Sequence, residues 1–96
     1  MEKKRLRRIE VRDRLKQVES WKLHGFAFQK NIVLKDFVHA MGFVQSAALL
    51  AEKFNHHPDI EIRWNKVTLT LSTHSVGGLT DIDFALAEEI DKLYHN

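Results

Sequence analysis

Three histidines and two acidic residues that could carry proton-transfer chemistry follow one another along the second half of the chain. They are Glu52, the adjacent pair His56 and His57, then His74 and Asp83. Imidazole has an unperturbed pKa of about 6.5, so it can donate or accept a proton near neutral pH. A carboxylate beside an imidazole can orient the ring and fix its tautomer. These residue types are those of a general acid and base site, provided that the fold brings them together.

The spacing suggests how two of these residues could meet. Glu52 lies four residues before His56, which is about one helical turn if the helix continues that far, so we expect Glu52 to orient His56. His74 falls at the end of a strand pattern, on the side that carries the polar residues of that strand. We therefore expect His74 to face water or a ligand rather than the core.

Each residue also has an ordinary structural interpretation. A histidine pair at a helix end can be a solvated cap, and a glutamate there can be an exposed helix residue. His74 can be a surface residue, and Asp83 can be the first-turn acid of a helix capped by Thr80. Trp64 can pack against its hairpin neighbours instead of stacking on a ligand.

A zinc site is disfavoured, although three histidines can bind zinc. Neighbouring residues of an extended chain point to opposite sides, so His56 and His57 are poorly placed to bind one ion. The chain also has no cysteine, which excludes thiolate catalysis and cysteine-bound zinc. We therefore expect no metal site.

Size and composition indicate one folded domain over residues 1–96. The apolar fraction of 44 % is ordinary for a globular protein. No apolar run approaches the roughly 20 residues of a membrane span, and the charged N-terminus lacks the apolar core of a secretory signal. A net charge of +2 is too small to indicate nucleic-acid binding, and the basic N-terminal segment is interspersed with acids, as in a solvated helix. We expect a cytoplasmic protein that binds neither membranes nor nucleic acid.

The first half of the chain predicts a helix, a hairpin and a second helix. Residues 3–19 carry apolar side chains at helical spacing. Trp21 and Leu23 alternate with polar residues, and a turn at His24-Gly25 leads into a strand at 26–34. Asp36 can cap the next helix, which runs to about residue 55 and is apolar on nearly every side. Because one sheet cannot cover such a helix, we expect a partner subunit.

The second half predicts another hairpin and a last helix. Residues 60–64 and 67–71 alternate between apolar and polar, with a turn expected at Asn65-Lys66. Thr80 and Asp83 have the spacing of a capping box, before apolar residues at helical intervals. The order α-β-β-α-β-β-α predicts an α+β fold in which three helices pack on one face of a four-stranded antiparallel sheet.

The spacing as a whole resembles the pterin-4a-carbinolamine dehydratases. Three residues separate Glu52 from His56-His57-Pro58, five separate Pro58 from Trp64, nine follow before His74, and eight more before Asp83. The segments Lys35-Asp36-Phe37, Asn65-Lys66-Val67 and Leu71-Ser72-Thr73-His74 also resemble that family. The similarity extends over most of the chain from Trp21 onward.

The resemblance implies a reaction and a role for each residue. The reaction is loss of water from a 4a-hydroxytetrahydropterin, giving the quinonoid dihydropterin, without a metal or cofactor. His56 and His74 would transfer protons in either assignment, and His57 would hold the substrate. Glu52 would support His56, and Trp64 and Asp83 would shape the pocket. The resemblance also implies a homodimer or homotetramer and a functional link to an aromatic amino-acid hydroxylase.

Two other functions are consistent with the same resemblance. Some relatives stabilise the dimer of a protein partner, so the chain could be a non-catalytic binding module that depends on its apolar helix. It could also be a pterin-binding relative in molybdopterin metabolism. Changing the histidines distinguishes an enzyme from a scaffold, because only the enzyme depends on them.

Overall fold

The computed structural model describes residues 4–18 and 20–94 and contains the predicted order of elements. Three α-helices and four strands form the fold. They are α1 (Arg8–Arg14), β1 (Lys22–His24), β2 (Ala27–Val33), α2 (Phe37–Phe54), β3 (Asp59–Arg63), β4 (Lys66–Leu71) and α3 (Asp81–Leu93). Short 3-10 turns follow α1 at Leu15–Gln17 and β4 at His74–Val76. The predicted α+β class is confirmed.

The sheet is antiparallel throughout, with the strand order β1-β2-β4-β3. The alternation of apolar residues places one face of β2 and β4 against the helices. Phe28 pairs with Leu71 and Ile32 with Val67 in this register, and all four are buried. Burial of these side chains against α2 and α3 is the main force that holds the sheet and helices together.

The first helix is shorter than the predicted 3–19. Arg7 is extended, and the Glu10 carboxylate accepts a hydrogen bond from the Arg7 amide at 2.9 Å, so α1 begins at Arg8. At the other end Val18 is extended. Residues 3 and 19 lie outside the described part of the chain. The apolar periodicity identified the helix, but local hydrogen bonds set its ends.

The long helix α2 begins and ends with clear caps. The Asp36 carboxylate accepts a hydrogen bond from the His39 amide at 2.8 Å, as predicted for an N-cap. Asn55 adopts a left-handed conformation, with φ 51°, and ends the helix. Only part of the helix surface is buried within one chain, since Phe37, Val38, Met41 and Leu49 are exposed. The partner subunit expected for this helix stays a prediction.

Two residues of the second hairpin lie outside the strands in which they were predicted. Trp64 occupies the two-residue turn with Asn65, at φ 55°, because Arg63 already pairs with Lys66. His74 begins a 3-10 turn after β4 has ended at Leu71. Thr73 pairs with Gly78 across that turn, which closes a compact loop.

Candidate active site

A recess of about 270 Å³ lies where the end of α2 meets the loop after β4. It is lined by residues 55–57 from the first segment and by Ser72, Thr73, His74 and Ser75 from the second. The three histidines that the sequence singled out therefore line one cavity, although 16 residues separate His57 from His74.

The turn at the end of α2 determines the direction of each histidine of the adjacent pair. With Asn55 in the left-handed region, the amide of His56 donates to the carbonyl of Ala51 at 3.0 Å. This hydrogen bond closes the helix and brings His56 toward the core, while His57 remains exposed. Adjacent residues thus reach two different environments.

His56 and Asp83 form a buried pair. Nε2 of His56 lies 2.5 Å from Oδ1 of Asp83, and their side chains are 9 % and 0 % exposed. Among the described residues His56 Nδ1 has no hydrogen-bond partner, and His56 lines the recess. With Nε2–H directed at the carboxylate, Nδ1 of the neutral ring is an acceptor.

The second oxygen of Asp83 is held by two threonines. Oδ2 accepts hydrogen bonds from Thr73 Oγ1 at 2.8 Å and from the Thr80 amide at 2.9 Å. Because the Thr73 hydroxyl has one proton and gives it to Asp83, it accepts the proton of Thr80 Oγ1, 2.9 Å away. The same carboxylate therefore caps α3 and orients His56.

Glu52 pairs with His57 and not with His56, contrary to the prediction. Oε2 of Glu52 lies 2.5 Å from Nε2 of His57, and the side chains are 75 % and 57 % exposed. The reason is the end of the helix. The chain leaves the helical path at Asn55, so the four-residue spacing no longer places Glu52 beside His56. Asp83 occupies that position instead.

His74 approaches the recess from the opposite segment. It is exposed, and no side-chain hydrogen bond fixes its ring among the described residues. The two imidazoles differ in their surroundings: His56 is buried against a carboxylate, and His74 is exposed. Such a pair can supply both a base and an acid.

Comparison with known proteins identifies the family. Residues 4–93 match the family model described as Pterin 4 alpha carbinolamine dehydratase. A protein of Roseiflexus sp. (strain RS-1) is 47 % identical over 89 residues, which cover 93 % of this chain and 96 % of that protein. One of Sulfurisphaera tokodaii is 40 % identical over 90 residues, or 94 % and 97 % of the two chains. Both are named "Putative pterin-4-alpha-carbinolamine dehydratase".

This chain belongs to the pterin-4a-carbinolamine dehydratase family. Its fold agrees: a crystal structure of a transcriptional coactivator/pterin dehydratase from Brucella melitensis has a TM-score of 0.90 and 35 % identity, covering 94 % of this chain and 98 % of that one. A pterin dehydratase-like protein described as a RuBisCO assembly factor in the alpha-carboxysome has a TM-score of 0.64 at 19 % identity, covering 79 % and 88 % of the two chains. That second likeness concerns the fold.

The structure does not bring Trp64 to the recess of its own chain. The recess lies before β3, and Trp64 lies after it. At about 3.3 Å per residue the strand separates them by roughly 20 Å. Trp64 is 68 % exposed at the far end of the hairpin. Its expected part in substrate binding remains a prediction.

Sequence reasoning missed Thr73 and the two serines. Thr73 is 2 % exposed and holds Asp83, while Ser72 and Ser75 line the recess. The signal for Thr73 was its position on the apolar side of the β4 alternation, where a buried hydroxyl needs a partner. Nothing in the spacing identified that partner as Asp83.

Two kinds of feature are absent from the described residues. In residues 4–18 and 20–94, no group of three or more histidines and acids is arranged to hold a metal ion. Within those same ranges, no helix has the length and apolarity needed to cross a bilayer.

Proposed function

We propose that the chain removes water from a 4a-hydroxytetrahydropterin to give the quinonoid dihydropterin. The observation that carries this proposal is that His56, whose Nε2 lies 2.5 Å from the Asp83 carboxylate, lines the same recess as His74. The family supports a pterin as the substrate class. The tetrahydropterin of an aromatic amino-acid hydroxylase, recycled in the cytoplasm, is the substrate that we propose.

The reaction needs two proton transfers and no net change of charge. The C–O bond at position 4a breaks with its electron pair on oxygen, and an acid protonates the departing hydroxide to give water. A base removes the proton of the neighbouring ring nitrogen, whose electron pair forms the new C=N bond. Each positioned acid or base typically accelerates such a step by about 10²–10⁴-fold.

We assign the base to His56 and the acid to His74. Asp83 accepts the hydrogen bond of His56 Nε2, so the Nδ1 lone pair is available and cannot rotate away. His74 is exposed and can regain a proton from water after each turnover. His57, oriented by Glu52, would hold the pterin ring at the mouth of the recess.

The direct test follows quinonoid dihydropterin formation from a freshly generated 4a-carbinolamine, against the uncatalysed rate. We expect His56→Ala and His74→Ala to lower the rate by about 10²-fold or more. His39→Ala is the matched control, because His39 also pairs with a carboxylate but does not line the recess. Wild-type rates in both site variants would refute the assignment.

We also propose that the exposed side of α2 makes the chain a homodimer or homotetramer. The supporting observation is the exposure of Phe37, Val38, Met41 and Leu49 on one helix. A protein-binding role would use the same surface. Light scattering of the wild type and of Val38→Glu tests self-association, and the dehydratase assay on that variant separates it from catalysis.

A further inference from the structure

A second cavity, of about 170 Å³, lies under the N-terminal segment and carries two arginines. Its lining includes Arg5, Arg8, Leu23, Phe26 and Gly78. Among the described residues that line it there is no carboxylate. The cavity therefore combines apolar walls with positive charge.

Arg5 lies against Phe26 and Gly78, next to a backbone hydrogen bond of its neighbour Leu6. The amide of Leu6 donates to the carbonyl of Leu79 at 2.8 Å, which fixes the backbone beside the loop. The Arg5 guanidinium carbon lies 5.5 Å from the centre of the Phe26 ring. A Cβ on Gly78 would lie 2.9 Å from Arg5 Nε, so only glycine lets the side chain lie this close to the loop.

Unlike two neighbouring arginines, the arginines of this cavity have no acidic partner among the described residues. Arg7 pairs with Glu10, and Arg14 pairs with Asp81. Within the described chain, neither Arg5 nor Arg8 forms an ion pair. Two guanidinium groups are thus available to an anion that enters the cavity.

An intermediate recess adjoins both the arginine cavity and the candidate active site. This recess, of about 210 Å³, is lined by Phe26, Ser72, His74 and Gly78 among others. It shares Ser72 and His74 with the catalytic recess, and Phe26 and Gly78 with the arginine cavity. These shared walls place the exposed ring of Phe26 between the histidines and the arginines, so we expect one elongated molecule to reach both.

We propose that this chain recognises pterins whose side chain ends in an anionic group, with Arg5 and Arg8 binding that group. The inference rests on the proposed function for the position of the pterin ring beside the histidines. Guanidinium groups bind phosphate and carboxylate oxygens with paired hydrogen bonds, so both anions share the required chemistry. Phe26 would contact the side chain between the two ends.

The test measures binding of three oxidised pterins, which cannot be dehydrated, by quenching of their fluorescence. Their side chains end in a neutral diol, a monophosphate or a carboxylate. We expect the wild type to bind one or both anionic forms at least about tenfold more tightly than the diol at low salt, and their order identifies which anion is preferred. Arg5→Ala and Arg8→Ala should each reduce this preference about fivefold to tenfold.

Two further variants make the test specific. Arg12→Ala is the matched control, because Arg12 is an exposed arginine of the same helix that does not line the cavity, and its three Kd values should equal the wild type's. Gly78→Ala should weaken anion preference by displacing Arg5, since Gly78 is not in the left-handed region and the backbone accepts alanine.

The outcomes separate this inference from the proposed reaction. Equal Kd values for the three pterins, or a preference that survives the Arg5→Ala/Arg8→Ala double variant, would overturn it, even if the carbinolamine is dehydrated normally. An arginine-dependent preference without any dehydration would support the anion site and refute the reaction. Failure to bind any of the three pterins would overturn the anion site, and the dehydration assay would decide the reaction separately.

Discussion

The His56–Asp83 and His57–Glu52 pairs have the same length and opposite surroundings. Both place Nε2 2.5 Å from a carboxylate oxygen. The first pair is 9 % and 0 % exposed, whereas the second is 57 % and 75 % exposed. Adjacent histidines on one turn of chain thus make the same contact in nearly dry and in wet surroundings.

The difference in burial shows that the distance between the two atoms does not by itself determine how much such a pair stabilises the fold. Water screens the exposed pair and competes for its hydrogen bonds, so exposed pairs contribute about 0–1 kcal/mol. In the buried pair, removing one partner leaves a group that has lost its water and has no replacement. We therefore expect the buried pair to control both stability and chemistry, and the exposed pair to adjust substrate binding.

The largest expected effect is that of Asp83→Asn, which breaks the buried pair without changing its volume. The amide can accept from His56 only by turning its NH₂ toward the Thr80 backbone amide, which is itself a donor. We expect the free energy of unfolding to fall by about 3 kcal/mol and the rate by about 10²–10⁴-fold. Urea denaturation and single-turnover kinetics measure the two quantities.

Because the variant is destabilised, its rate must be referred to the folded fraction at the assay temperature. The control is Glu52→Gln, which makes the same change in the exposed pair. If the two variants lose similar amounts of stability and rate, burial does not distinguish the pairs and the comparison is wrong.

The second expected effect is a loss of reaction rate with little change in the free energy of unfolding. His74 is exposed and lacks a fixed partner among the described residues, so His74→Ala should change the free energy of unfolding by less than about 0.5 kcal/mol. The rate should fall about 10²-fold, since the proposed acid is lost. Measured together with Asp83→Asn, this variant separates loss of a catalytic group from loss of structure. A wild-type rate would remove His74 from the mechanism.

The fold was predictable because its elements depend on patterns that repeat. Alternation at residues 67–71 and the caps at Asp36 and Thr80 specify a strand and two helix starts from local sequence. The helix ends were less predictable. The helix α1 begins after Arg7 because the Glu10 carboxylate binds the Arg7 amide. The apolar spacing alone does not distinguish this start from neighbouring ones.

The three histidines that line the recess could be selected from the sequence, but their carboxylate partners could not. The histidines and acids could be named from their types, but Glu52 was assigned to His56 on helical spacing alone. One left-handed residue, Asn55, changes that pairing, and no periodicity reports it. The predicted strand position of Trp64 was also wrong, because the turn is held by a hydrogen bond from Asn65 Nδ2 to the Leu34 carbonyl at 3.0 Å, which the strand pattern does not contain.

The third expected effect is small and tests the exposed pair directly. A double-mutant cycle with Glu52→Gln and His57→Ala should give a coupling free energy below about 1 kcal/mol, which decreases as salt is added. KM should rise about twofold to threefold in Glu52→Gln with kcat nearly unchanged, because His57 is proposed to hold the ring. A loss of kcat comparable to that of His74→Ala would instead place His57 in the proton transfers.

The smallest expected effect concerns a third histidine–carboxylate pair, Asp36 and His39. This pair lies at the start of α2, whereas the candidate active site lies at its end. Their side chains are 45 % and 55 % exposed, and Nδ1 of His39 lies 2.7 Å from Oδ1 of Asp36. Hydrogen bonds from the His39 amide and then from its ring hold the pKa of the Asp36 carboxyl below its usual value of 3.8. A lowered folded-state pKa means that the ionised form stabilises the fold above the unfolded value, and that this contribution is lost as pH falls through the folded value.

Asp36→Asn isolates this contribution, because asparagine can also cap a helix but carries no charge. We expect the wild type to melt about 2 °C higher than the variant at pH 7, and the two to converge by about pH 2. Thermal melts of both proteins at matched pH cancel the titration of every other group. A difference that persists unchanged at low pH would show that the carboxylate's charge contributes nothing, and that an exposed pair acts here only through the geometry of its cap.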